Sequence, residues 1–413
     1  MNVVQKLFES VLEKELSLPK LGTQLITAGF KERGIELTAS QRATIEARLG
    51  AVTGEELALV DITDAQLAKS KLTAEQRAAE RLSLDLDANA FLDRFEEKLP
   101  GIILACVEKT SRLMLKRLKR NAPHMLKDRR GHRRAFETRL AKKWGRALDP
   151  LDMFREIALE AGEDFNNEFR PEAAATKDFV FEVLTRLHAR ACQIASEILT
   201  LLRSGHADGA HARWRSLHEI AVIGLFIKSH GNELAERYIL HDAIESYRAA
   251  SLYQEHYATL GDEPPSEEEV AGIRSAYESL KSRFGRDYVK EYGWAAAALG
   301  KERPTFMDIE KAVGLRHLRP YYKLASHNVH ANPKGAFFKL GLLPDHKILL
   351  AGPSDLGLAD PGHGTAISLA QITIALLTLR PNMDRLVICQ VLLRLEDEIG
   401  NAFLAAHRAL EGK

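Results

Sequence analysis

The period of the apolar residues constrains this chain more than any other feature. Apolar side chains recur at intervals of three and four through nearly every segment, and the sustained alternation that a strand needs is almost missing. A chain written this way covers its apolar stripes by packing helix against helix. An all-α, multi-helix bundle is therefore the expectation, and 413 residues allow two or three domains.

Several helix boundaries are legible. Thr38-Ala-Ser-Gln41 and Thr73-Ala-Glu-Gln76 have the capping-box pattern, each followed by apolar residues at helical spacing. With helices over Val3–Leu16 and Ala88–Leu99, they predict an N-terminal helical module over residues 1–98, ended by Pro100-Gly101. A basic segment over 99–147 follows, in which Asn121-Ala-Pro123 and Gly131 predict a short helical hairpin. A helical core domain is expected over 148–413. Its first helix opens at Asp149-Pro150 and ends before Arg170-Pro171. Further helices are expected over Lys177–Arg203, His211–His230, Glu233–Leu260, Glu267–Phe284, Asp287–Leu299, Asp308–Val313, Leu315–His330, Thr365–Leu379 and Met383–Leu410. Lys347–Ala351, inside a stretch rich in Gly and Pro, is the one candidate for a short hairpin or strand.

Charge adds a second constraint. The net charge of +1 hides a local excess, because residues 109–146 hold 15 Lys/Arg against only Asp128 and Glu137. Lys116, Arg117, Lys119, Arg120, Arg129, Arg130, Arg133, Arg134, Lys142, Lys143 and Arg146 form a density typical of phosphate-contacting surfaces. Nucleic acid is the expected partner, RNA in preference to DNA, with Phe136 and Trp144 available to stack on bases. The same charges would also suit pairing with acidic groups such as Glu156, Glu160, Glu163 and Asp164, or an acidic protein partner.

Other classes are disfavoured. Cys106, Cys192 and Cys389 lie far apart with no CxxC, which fits a reducing cytosol and argues against structural zinc. The first residues carry Glu9, Glu13, Lys14 and Glu15 among their apolar positions, unlike a signal peptide. The longest uncharged run, Gly364–Leu379, has 16 residues, short of the ~20 that span a bilayer. A cytoplasmic protein without a membrane partner is expected. No phosphate-binding Gly-rich loop, dinucleotide fingerprint, HExxH or GxSxG occurs, so no cofactor or metal is expected. His241, Asp242, Glu245 and His256 offer ligand types without a complete metal set, and Gly362-His-Gly-Thr365 is either an anion-receiving helix start or a plain capped loop.

Two segments concentrate chemistry-bearing side chains. On a helix over Gly209–Ile227, His211, Arg215 and His218 share one side, and Glu219 lies four residues after Arg215. This set is either a pocket with shifted pKa values or an ion pair tying the helix to its neighbours. In Arg316–Lys334, a helix would align Arg319, Tyr322, Ser326 and His330, with His327 offset. That face suits phosphate binding or acid–base chemistry, while Asn332-Pro333 and Gly335 equally suit a helix end with locally satisfied polar groups.

Arg213 and His218 have the Arg-x4-His spacing and so resemble the motif of HEPN nucleases, small helical RNases of toxin and antiviral systems. That resemblance implies an Arg holding the scissile phosphate, a His moving protons for 2′-hydroxyl attack, and a site often shared by two protomers. Trp214 departs from the polar residue often found after the motif Arg. The run ARWRSLHEIAVIGLFI, the Tyr/His helix AERYILHDAIESYRAA and YYKLASHNVHANPKG together resemble the bacterial family DUF5677, over roughly residues 180–380. Arg215, Glu219, Ser326 and His330 are the matching positions, and the resemblance implies an all-helical domain with a recurring polar site, without a known reaction. The combined expectation is a homodimeric, metal-independent RNase of defence or toxin type. His330 or His327 would act as acid or base, Arg215 or Arg319 would hold phosphate, and Glu219 would orient Arg215. The competing class is a non-catalytic adaptor or regulator that binds a protein partner or small ligand.

Overall fold

The computed structural model describes residues 2–51, 60–78, 88–342 and 348–411, and every regular element among them is helical. The chain divides into two compact units, Met1–Gly131 and His132–Lys413.

The first unit holds α1 (Asn2–Glu15), α2 (Leu18–Glu32), α3 (Ala39–Ala51), α4 (Asp64–Ala68), α5 (Ala74–Ala78) and the beginning of α6 (Ala88–Thr176). Both expected capping boxes form. Thr38 Oγ1 accepts from Gln41 N at 3.2 Å while Gln41 Oε1 accepts from Thr38 N at 2.9 Å, and Thr73 and Gln76 repeat the exchange. A third box, Thr63 with Gln66, starts α4. Phe30, Ile35, Leu37, Ile45 and Leu72 make a small core beneath these helices.

The expected breaks at Pro100-Gly101, Asn121–Pro123, Gly131 and Pro171, the helix start at Asp149-Pro150, and the helical hairpin they implied are absent: α6 passes through all of them as one helix. An interior Pro costs about 3 kcal/mol mainly by removing a hydrogen bond and crowding the preceding turn. Here Pro100, Pro123 and Pro171 are exposed, so the freed carbonyls keep water, and the intervening residues are strong helix formers such as Leu, Lys, Arg, Met and Ala.

The second unit continues α6 and adds α7 (Phe179–Arg203), α8 (Ala207–His230), α9 (Asn232–Leu240), α10 (Asp242–Leu260), α11 (Glu267–Phe284), α12 (Ala296–Leu299), α13 (Phe306–Ala312), α14 (Arg319–Val329), α15 (Pro333–Phe337), α16 (Ala359–Leu377) and α17 (Met383–Glu411). Helices α7, α8 and α16 pack on one another, α17 covers α16, and α14 lies along α8. Leu140, Trp144, Leu148, Leu151 and Phe154 of α6 enter the same core. The helix expected over Glu233–Leu260 is instead two, meeting at buried His241, whose Nε2 lies 3.0 and 2.9 Å from the carbonyls of Tyr288 and Lys290. Most of Asp287–Leu299 is turn and 3-10 helix. Residues 348–351 are irregular, with Lys347 outside the described residues. No helix among the described residues is long and apolar enough to cross a membrane.

Candidate functional site

The polar residues of α8 are sorted by helical geometry into two adjacent sets. His211, Trp214 and His218, at i, i+3 and i+7, stack in a buried column with ring centroids 5.4 Å apart at each step. Trp214 Nε1 donates to Ser368 Oγ of α16 at 3.1 Å, so this tryptophan is a packing anchor between helices. Arg215 and Glu219 lie one position further round, half-buried.

Two short elements complete the site. From α13, Phe306 and Glu310 project four residues apart; from α14, Arg319 and Tyr322 project three apart. His218 Nε2 lies 3.0 Å from Glu310 Oε1, and neither side chain has any exposure. The second carboxylate oxygen of Glu310 accepts from Arg319 Nη1 at 3.2 Å. Above this pair, Glu219 Oε1 accepts from Arg215 Nε at 3.1 Å and from Tyr322 OH at 2.5 Å. The Tyr322 ring sits between the two guanidinium groups, 4.9 Å from Arg215 and 4.8 Å from Arg319, and stacks on Phe306 at 5.0 Å.

A carboxylate as buried as Glu310 would cost several kcal/mol without compensation, which Arg319 and His218 together supply. Burial pulls the His218 pKa below the usual histidine value, against the opposing pull of Glu310. At neutral pH the ring is therefore neutral, Nε2–H donates to Glu310, and Nδ1 is left without a partner. Burial, reinforced by the hydrogen-bonded Glu219, pushes the Tyr322 phenol well above its ordinary range. Tyr292, near the same groups, is pushed up to about 12 by burial, with Glu219 adding to it. Two arginines and two glutamates leave this network without net charge.

Arg215, His218, Glu219, Arg319 and Tyr322 thus converge. Ser326, His327 and His330 do not join them. Ser326 Oγ donates back to the Tyr322 carbonyl at 2.8 Å, and His327 Nδ1 lies 2.8 Å from the Asn332 side-chain nitrogen. His330 is exposed in the extended residue that ends α14. Asn332 Oδ1 caps α15 by accepting from Gly335 N, and any side chain at Gly335 would collide with the His327 carbonyl oxygen, 2.0 Å from its Cβ position. The segment is a helix end in which Ser326, His327 and Asn332 are locally engaged, while Asn328 Nδ2 is buried without a hydrogen-bond partner. The Arg213–His218 pair also separates, because Arg213 turns to Glu197 of α7 while His218 turns to Glu310.

Glu310 escaped sequence reasoning. Its signal was present, since Phe306, Ile309, Glu310 and Val313 follow the i, i+3, i+4, i+7 pattern, which puts a carboxylate on an apolar face. Among the described residues no group of three or more His, Cys, Asp or Glu is arranged to hold a metal ion. At Gly362 and Gly364 the backbone of α16 passes close to Phe403 and Trp214, with Cβ positions only 2.2 and 2.8 Å from ring atoms, so that turn is packed shut.

The basic residues of α6 behave differently. Lys116, Arg117, Lys119, Arg120, Arg129 and Arg130 in the first unit, and Arg133, Arg134, Lys142, Lys143 and Arg146 in the second, are all exposed. Only Lys143 among them has an acidic partner, Asp355; the acids just downstream do not neutralise the rest, and Glu156 pairs with Arg155. The aromatic residues expected to stack on bases are engaged elsewhere. Trp144 has no exposure, donates Nε1 to the Asp355 carbonyl at 2.9 Å and packs on Phe403, and half-buried Phe136 covers Gly205.

Fold and site define a helical protein whose buried His–Glu–Arg–Tyr network braces α8 against α13 and α14. Residues 181–346 match the model of a family of unknown function, DUF5677, a shorter span than the sequence motifs suggested. No curated protein and no solved structure is significantly similar to the chain.

Proposed function

We propose that this chain is a non-catalytic adaptor that engages nucleic acid, RNA in preference to DNA, through the basic surface of α6. One observation carries the reading: twelve exposed Lys and Arg between Lys116 and Arg146 have no acidic partner within the chain. Uncompensated cations along a helix release counterions when they meet phosphates, and that release supplies sequence-independent affinity. RNase chemistry at the α8 network is the weaker reading. His218 is sealed from solvent, both arginines already hold carboxylates, and His330 stands apart at the end of α14.

The test is binding of the full-length protein to labelled single-stranded and duplex RNA across a salt series. If six phosphates are neutralised on a single strand, log affinity falls with log salt at a slope of about −4, a loss of roughly 300-fold between 50 and 200 mM salt. Reversal of Arg129, Arg130, Arg133 and Arg134 to Glu is expected to abolish binding. A flat salt response removes nucleic acid from the account. Cleavage of the RNA, lost in Arg215→Ala and insensitive to EDTA, would reinstate the nuclease.

A further inference from the structure

Helix α6 carries an uncovered apolar stripe with opposite charges at its two ends. Leu104, Val107, Leu115, Leu118 and Met125 recur at helical spacing on one face, and they are 69%, 50%, 52%, 58% and 51% exposed. On the other side of its N-terminal part Cys106 and Thr110 are buried and Lys109 reaches Glu15 of α1 at 2.8 Å, while from Ser111 to Met125 no residue is buried. Five large aliphatic side chains left half or more in water on one helix face mark an interaction surface rather than scattered surface residues.

The charges on that face identify the occupant. At the N-terminal end of the stripe the face presents Asp93 and Glu97, both exposed; at the C-terminal end it presents Arg129, also exposed. Glu97 lies seven residues before Leu104 and Arg129 four residues after Met125. A helix whose stripe is flanked by an acid at one end and a base at the other is complementary to itself, but only when the second copy runs antiparallel. In the register that sets each Glu97 against the Arg129 of the other copy, Leu104 lies opposite Ala122, between Leu118 and Met125 of that copy, and the small Ser111 lies opposite Leu115. A parallel pair would set Glu against Glu and Arg against Arg, which the e and g positions of helical pairs select against. An acidic helix of another protein would answer Arg129 and leave Asp93 and Glu97 opposed.

We infer that the chain self-associates as an antiparallel pair of α6 helices joined along Leu104–Met125. The arrangement is two-fold, so every interaction occurs twice, and a single charge reversal converts two attractions into two repulsions.

The experiment is sedimentation equilibrium on the nuclease-treated, full-length protein, with helicity followed by circular dichroism. Wild type is expected to be a reversible dimer, and Leu118→Glu a monomer with unchanged helicity. Glu97→Arg and Arg129→Glu are each expected to weaken the dimer at least tenfold. Both changes in one chain restore complementarity and return the dissociation constant to within about threefold of wild type. A wild-type monomer at all concentrations overturns the proposal. So do charge reversals without effect, or a double variant as weak as the singles, which would mean that the copies do not pair antiparallel.

Discussion

The buried Glu310 carboxylate holds both His218 and Arg319, and its removal is expected to be costly. It has no exposure and accepts from His218 at 3.0 Å and Arg319 at 3.2 Å. Glu310→Ala strands a guanidinium beside the core and leaves the His218 Nε2–H without an acceptor. Breaking one member of a buried ion pair typically costs about 3–5 kcal/mol, which for a domain of this size lowers the melting temperature by roughly 5–15 °C. Glu310→Leu combined with His218→Phe and Arg319→Met removes all three polar partners together. Such apolar replacement is commonly close to neutral, so most of the lost stability is expected to return. Urea denaturation of the three proteins measures how much of the loss comes from stranding the partners. A melting temperature within 2 °C of wild type in Glu310→Ala would refute the view that this network braces the fold. Full stability with lost RNA binding would instead make the network part of the binding machinery.

Histidine burial sets the acid limit of the fold. Burial holds His188 and His211 at about 4, so both stay neutral in the folded state while the unfolded chain takes up protons near pH 6.5. Their contribution, on the order of 3 kcal/mol each, is complete above pH 6.5 and is lost as pH falls towards 4, which a pH series of urea midpoints measures. Neither ring nitrogen of His211 has a partner, so His211→Phe is expected to raise stability at pH 7 by about 1–2 kcal/mol and to remove about one proton from the slope between pH 6 and 5. Trp144→Ala is expected to cost about 3–5 kcal/mol in denaturant titrations while leaving RNA affinity at temperatures below its melting point unchanged, because the ring is in the core. Gly364→Ala, which sets a methyl group 2.8 Å from Trp214, is expected to lower the melting temperature measurably, whereas His330→Ala is expected to leave it within 1 °C.

How much of this was legible follows from the range of each signal. Capping boxes at Thr38 and Thr73 are local, made within four residues, and both formed as read. Proline is also a local signal, but its effect depends on whether water reaches the freed carbonyl. That depends on burial, which no short window of sequence contains, and so α6 ran on where breaks were expected. The α8 site was half legible for a similar reason. Arg215 and Glu219 sit four apart on one helix, and their pairing needs nothing else. Glu310 approaches from 91 residues after Glu219 and acts only once α13 has docked.

The two concentrations of charge in this chain therefore carry opposite meanings, and partner accounting separates them. Around α8, each charged group already has its counterpart: Arg215 has Glu219, Arg319 has Glu310, and Tyr322 is held between. A phosphate arriving there would have to displace carboxylates and face their repulsion, so the density that suggested catalysis in the sequence is spent on holding three helices together. Along α6, twelve cations between Lys116 and Arg146 have no acidic partner within the chain. Desolvation has not been incurred there, and the full electrostatic gain is still available to an anion. Residue type points to both places equally. Only the presence or absence of a partner separates a braced network from an open surface, and the proposed nucleic-acid contact therefore belongs to α6 rather than to the α8 network.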